Sequence, residues 1–283
     1  PQGYADDVGI TAKRPSTVLK TCALTGEFSM LTGTRVNGKK SHIWATQEQD
    51  RKLLAMRSQI TGQKLTLVTE DRRLGAFLSY SKRRRATTFD RKLALCLRMC
   101  CRVQYLPLPM WRRAHLVASG VLGKAVYACA ATPPSKRVQR KLRGAASRAI
   151  WGQGNRWRCP EVLYTLLCPG HRADPTQAVA YTTFMVARRI LQRHDNLLAL
   201  FREVFQLRLA SPSSTTGGPV RALLQAAQTA GAQFLCPETV QHRSPDDQWR
   251  TFDLTRGDDR KVAHEIREAL RAKQFLALER RRP

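Results

Sequence analysis

Membrane helices, disulfide frameworks and zinc motifs are all missing from this chain of 283 residues. No stretch approaches the ~18 or more uninterrupted apolar residues of a membrane span. The eight cysteines, Cys22, Cys96, Cys100, Cys101, Cys129, Cys159, Cys168 and Cys236, contain no Cys-x-x-Cys pair and no regular spacing. They read as free thiols in a reducing compartment. The six histidines are scattered, and no Cys/His cluster has zinc spacing. The N-terminus does not read as a signal peptide, because Asp6 and Asp7 interrupt what would be its apolar run. No internal repeat is found. The class left is a soluble, folded, intracellular protein, in nucleus or cytoplasm, with no membrane partner. Apolar residues make up 42% of it, enough for real cores.

Acidic side chains are scarce as well: 21 Asp and Glu stand against 49 Lys and Arg, a net charge of +28. The imbalance is regional. Residues 1–80 hold 12 basic and 7 acidic side chains, residues 81–210 hold 25 and 5, and residues 211–283 hold 12 and 9. Of the 25 basic residues in the middle region 20 are Arg, the side chain that forks onto phosphate. A field of that sign favours a polyanion and speeds its encounter. Solubility alone is a poor explanation for a fivefold excess confined to one region.

The chain punctuates itself clearly. Tyr4-Ala5-Asp6-Asp7 precedes Val8-Gly9-Ile10-Thr11-Ala12, an alternating run that reads as a strand. The two acids are therefore expected at the tip of a β-hairpin, where Asp tolerates turn geometry. Adjacent carboxylates at a fixed turn suit hard divalent cations, although a solvated hairpin tip is the plain alternative. Pro15-Ser16-Thr17 offers capping hydroxyls for a helix to about Leu31, which Gly33 ends. Asn37-Gly38 signals a tight turn, Ser41–Thr46 a strand and Gln47–Ser58 a short helix. Runs at Lys64–Thr69 and Arg73–Ser79 flank Glu70-Asp71-Arg72, the pattern of a hairpin. These elements give an α+β layer of helices on an antiparallel sheet.

From about Arg85 the period changes. Phe89, Leu93, Leu97, Cys101 and Tyr105 recur every four residues, which predicts a helix with one buried stripe. Leu106-Pro107-Leu108-Pro109 breaks it. A second helix is expected from Met110 to Ala131 and a third from a Ser135 cap to Trp151, together a bundle. Gly152–Pro160 reads as a loop, with further helices over Pro160–Leu167 and Pro175–Leu209. Asp174 is expected to cap the latter, with Pro175 in its first turn. A catalytic His171–Asp174 pair lacks an accompanying nucleophile. Residues 211–219 form a low-complexity linker, and residues 220–283 a small, mostly helical extension.

Three motifs in the first region occur in a recognisable order. Tyr4-Ala5-Asp6-Asp7 is followed by a helix, by Gly33, Asn37, Lys40 and Ser41, and then by Leu74, Gly75 and Leu78. This order resembles the second half of the palm of a reverse transcriptase from non-LTR, LINE-like retrotransposons. The likeness is strong to about residue 80 and looser to about residue 210. It implies residues 1–80 as the distal half of a palm and residues 81–210 as a helical thumb with connecting helices. It further implies an RNA-directed DNA polymerase, in which a primer 3′-hydroxyl attacks a dNTP and two Mg2+ (or Mn2+) organise the displacement. RNA template, DNA primer, RNA–DNA hybrid and dNTP would then be the partners; protein partners are unknown.

The resemblance assigns Asp6 and Asp7 as metal ligands, Asp6 the more direct. It places Tyr4 beside the sugar of the primer end or nucleotide, with core filler as the equal alternative. Lys40 would assist the leaving pyrophosphate, Lys39 being the other bearer, and Leu74 and Gly75 would grip the primer. Arg83, Arg84 and Arg85 open the thumb as candidate phosphate contacts. Lys136, Arg137, Arg140, Lys141 and Arg143 recur at i, i+3, i+4 and line one helix face. Trp111, Trp151 and Trp157 read as core aromatics before base-stacking ones. The family also uses a carboxylate from an earlier palm strand and a set of fingers, which these residues do not match. Whether the chain is an enzyme is thus open, and inactivity of the fragment alone is expected. The alternatives are a non-catalytic basic nucleic-acid-binding module or a decayed retrotransposon product. The extension shows no spaced carboxylates of a ribonuclease H.

Overall fold

A computed structural model describes residues 2–4, 7–38, 40–73, 76–79, 87–131, 134–152, 159–210 and 218–279, with side chains for 9–38, 40–70, 92–131, 134–152, 159–210 and 218–279. The chain divides into two compact units, one of residues 1–71 and 78–85, the other of residues 72–77 and 86–283. The molecule is mostly helical with small sheets, so the broad α+β class holds.

In the first unit, β1 (Gln2–Tyr4) and β2 (Asp7–Gly9) pair antiparallel with Tyr4 opposite Asp7. Helix α1 (Pro15–Thr32) follows, then β3 (His42–Ile43), α2 (Glu48–Arg57), β4 (Gln59–Ile60), β5 (Gln63–Lys64) and β6 (Thr66–Leu67). The start of α1 differs from expectation. Arg14 takes the N-cap position without a side-chain bond, and Pro15 opens the helix. Proline fits there because its missing N–H would be unsatisfied anyway. Gly33 ends it at φ 66°, as the left-handed C-cap requires.

The strands are shorter than the sequence pattern suggests, and the described ones form separate ladders rather than one antiparallel layer. The β3–β6 pair is parallel. Thr61 and Gly62 join β4 to β5 with positive φ at both residues (49° and 75°), the signature of a primed two-residue turn. Strands β7 (Glu70–Arg73) and β8 (Ala76–Ser79) pair with each other, so Glu70-Asp71-Arg72 lies within a strand and not in the connection expected there. A small core joins Cys22, Ile43, Ala45, Leu54 and Leu65.

The second unit opens with α3 (Thr87–Gln104), then α4 (Met110–Leu116), a wide helical turn over Val117–Leu122, and α5 (Gly123–Ala125). The helix expected to reach Ala131 thus ends near residue 125. Next come α6 (Lys136–Trp151), α7 (Pro160–Val162), a second wide turn (Leu163–Leu167), α8 (Gly170–Ala173), α9 (Pro175–Arg193) and α10 (Asp195–Ala210). The stripe of α3 is also re-phased. Cys96, Cys100 and Val103 are buried with Leu93 and Leu97 beside them, while Cys101 and Tyr105 are exposed. A strict four-residue repeat drifts about 40° per step around a 3.6-residue helix, so it leaves the core after a few turns.

Residues beyond 217 contain α11 (Pro219–Ala230), β9 (Gln233–Phe234), β10 (Thr239–Arg243), β11 (Trp249–Asp253) and α12 (Asp259–Glu279). The mostly helical extension therefore also carries a three-stranded antiparallel sheet, β11–β10–β9. It shares one core with α9. Phe184 and Leu191 pack with Leu223, Val240, Phe252, Ile266 and Leu270. Arg188 of α9 is buried at 1% exposure. Its Nε donates to Asp259 Oδ1 (2.8 Å), and its NH1 donates to the carbonyls of Asp253 (2.9 Å) and Arg256 (2.7 Å), with NH2 on that of Gly257.

Among the described residues β1 pairs only with β2, and a two-stranded ladder on its own is marginal. Amide exchange at Gly3, Tyr4 and Val8 is therefore expected to be fast, and exchange in α3 and α6 slow, by hydrogen-exchange mass spectrometry. Equal protection of the two regions would contradict this.

Candidate nucleic-acid interface

Helix α6 carries the candidate phosphate face. Ser135 caps it, its Oγ accepting from Val138 N at 3.3 Å. Leu142, Ala145, Ala146, Ala149 and Ile150 are buried, and the helix packs along α3. That burial leaves Lys136, Arg137, Arg140 and Lys141 on the solvent side, all exposed. Arg148, seven residues past Lys141, is exposed on the same side and extends the face toward the helix C-terminus. Lys136 and Arg137 occupy the first turn, where no acidic residue sits. A cation there opposes the helix dipole, at a cost of about 0.3–1 kcal/mol each. The helix carries these charges against its own electrostatics.

Arg143 belongs to a different arrangement. It turns into the unit, where its Nε donates to Asp174 Oδ2 (2.9 Å) and NH1 to Glu161 Oε1 (3.4 Å), with its guanidinium 5.5 Å from the Tyr164 ring centroid. The reason is helical phase: Arg143 borders the buried side defined by Leu142 and Ala146. Asp174 is 1% exposed and also accepts from Thr176 N and Gln274 Nε2, both at 2.9 Å. It caps α9 as expected, and Pro175 is the first helical residue. The same carboxylate ties α6, α9 and α12 together. His171 packs instead against Tyr181, ring centroids 5.2 Å apart. Burial, with Arg267 and Arg172 nearby, pulls its pKa down to about 4, so it is neutral at pH 7.

The other candidates are placed only in part. Tyr4 and Asp7 face each other across the β1–β2 ladder, whereas Ala5 and Asp6 lie outside the described residues. Leu74, Gly75, Arg83, Arg84, Arg85, Lys39 and Trp157 lie outside them too. Lys40 is exposed, in a turn where its N–H donates to Asn37 O (3.0 Å). The structure thus brings together the four exposed α6 cations and adds Arg148. Among the described residues no group of three or more His, Cys, Asp or Glu is set to hold a metal ion, and no helix is long and apolar enough to cross a membrane. All eight cysteines are free, and burial pushes Cys100 up to about 12 and Cys129 to about 11.

Two features escaped the regional charge count. From Arg91 to Pro160 there is no Asp or Glu at all, against 15 Lys and Arg. That acid-free run covers α4 and α6 and is readable in the sequence. Trp111, expected in the core, is 63% exposed, whereas Trp151 is partly buried against the bundle. No protein-family model matches the chain, and neither a curated protein nor a solved structure matches it.

Proposed function

We propose that this chain is the distal palm and thumb of an RNA-directed DNA polymerase of the non-LTR retrotransposon type, and that α6 tracks the phosphates of a primer–template duplex. The observation that carries this reading is the order of elements. Strands β1 and β2 pair antiparallel, an 18-residue helix follows, then a turn in which Lys40 and Ser41 donate to Asn37 O, and then the paired strands β7 and β8. The cationic face of α6 lies beyond them, in the acid-free run.

In this reading Asp6 and Asp7 supply two of the carboxylates that hold divalent metal. Mg2+ or Mn2+, when bound, would neutralise charge on the transferring phosphoryl group. Lys40 supplies a cation toward the leaving pyrophosphate. An earlier-strand carboxylate and a template grip are also needed. The 283 residues by themselves are therefore expected not to incorporate labelled dNTP on an RNA template. Supplied in trans with a polypeptide carrying those missing parts, they are expected to restore incorporation, and Asp6→Ala to abolish it. Strong incorporation by the chain alone would contradict the first expectation. Failure of every such pairing, with hybrid binding intact, would replace the polymerase by the second reading. That reading is a non-catalytic nucleic-acid-binding module, which the exposed α6 face favours because it is independent of the acidic hairpin.

A further inference from the structure

We infer that Trp111 is a stacking platform for an unpaired nucleobase, a single-stranded RNA or DNA site separate from the phosphate face of α6. The inference rests on the nucleic-acid reading above and adds a second class of contact to it. Helix α4 presents Trp111, Arg112, His115 and Leu116 to solvent and buries Ala114. Trp111 and His115 share one side of the helix at i, i+4. The solvent side of a short surface helix is ordinarily polar. Here it carries an indole at 63% exposure.

The platform is held firmly. Leu106-Pro107-Leu108-Pro109 stiffens the approach, and Pro109 takes the N-cap position immediately before Met110. From the underside Arg113 donates through Nε to Ile150 O (3.0 Å) and through NH2 to Trp151 O (3.1 Å), which ties α4 to the C-terminal end of α6. The guanidinium of Arg112 lies 5.0 Å from the Trp111 ring centroid. That cation covers one face of the indole, so a base would stack on the opposite face, with Arg112 reinforcing the ring from behind.

Charge selects the ligand class. Trp111 lies within the acid-free run, whose 15 Lys and Arg favour a polyanion. Helix α6 is 16 residues, about 24 Å long, with most of its cations in the N-terminal half and α4 fixed at the other end. Separate sites near the two ends of one helix suit a strand that leaves a duplex.

The test uses the full chain with short unstructured single-stranded RNA and DNA oligonucleotides and with a blunt RNA–DNA hybrid. Stacking is worth about 1–3 kcal/mol per base, so Trp111→Ala is expected to weaken single-strand binding roughly 5- to 150-fold. Hybrid affinity and the salt slope should stay as in the unsubstituted chain. Trp111→Phe, which keeps a ring, should recover most of the loss. The RNA and DNA arms name the source of the base. Unchanged single-strand binding by Trp111→Ala overturns the inference and leaves the α6 reading standing. So does an equal loss on single strands and blunt hybrid, which would mark Trp111 as structural. If the unsubstituted chain binds neither ligand, the proposed function itself fails.

Discussion

Changing Arg137, Arg140 and Lys141 together to Ala is expected to flatten the salt dependence of duplex binding by about two to three log–log units. Each phosphate contact releases close to one counterion, so three lost contacts remove that much slope. The loss should be the same for every sequence, because phosphate contacts position without specifying. Fold should be preserved, since all three side chains are exposed and the buried side of α6 is untouched. Removing Arg137 from the first turn even relieves an unfavourable dipole interaction. Arg143→Ala should behave differently. Its guanidinium is committed to Asp174 and Glu161, so it should lower stability and leave the slope alone. A triple variant with an unchanged slope would remove α6 from the interface.

Arg188→Ala is expected to destabilise the larger unit by about 3–5 kcal/mol, because it strands buried partners. The side chain is 1% exposed and serves three carbonyls of the 253–257 turn. It is not chiefly an ion pair: Asp259 is 70% exposed, so water already screens that contact. Asp259→Ala, which leaves the three carbonyl contacts of Arg188 in place, should therefore cost less than Arg188→Ala. In a unit of this size the Arg188 variant should lower the melting transition by roughly 6–20 °C, read by calorimetry. Comparable losses from both variants would show that the salt bridge, and not the carbonyl contacts, holds the turn.

The turn at Asp253 adds a pH dependence of known sign. Burial raises the Asp253 carboxyl, but bonds from Thr255 and Arg256 outweigh it and leave the pKa below the ordinary carboxylate value. A depressed pKa stabilises the fold above the unfolded value and is lost as pH falls through the folded one. Asp253→Asn should remove that acid sensitivity.

What could be read from the sequence was local. The pairing of β1 with β2, the end of α1 at Gly33 and the caps Ser135 and Asp174 each rest on residues within a few positions of one another. The stripe of α3 was misplaced by counting fours, because such a repeat drifts around the helix. Trp111 was misjudged because aromatic residues are usually core, and only the packing of α4 shows which side is free. The Arg143–Asp174 pair spans 31 positions and the Arg188–Asp259 pair 71. No local pattern marks such partners. The sheet of β9, β10 and β11 was also missed, since its strands are short and lie between two stronger helical signals.

The most direct test of the central claim is the affinity of the unsubstituted chain for a blunt RNA–DNA hybrid as salt is raised. Lys136, Arg137, Arg140, Lys141 and Arg148 offer about five phosphate contacts, so log affinity should fall with log salt at a slope of about −4. Saturable binding with that slope is the predicted result. Binding that ignores salt, or no binding even at low salt, would contradict the account.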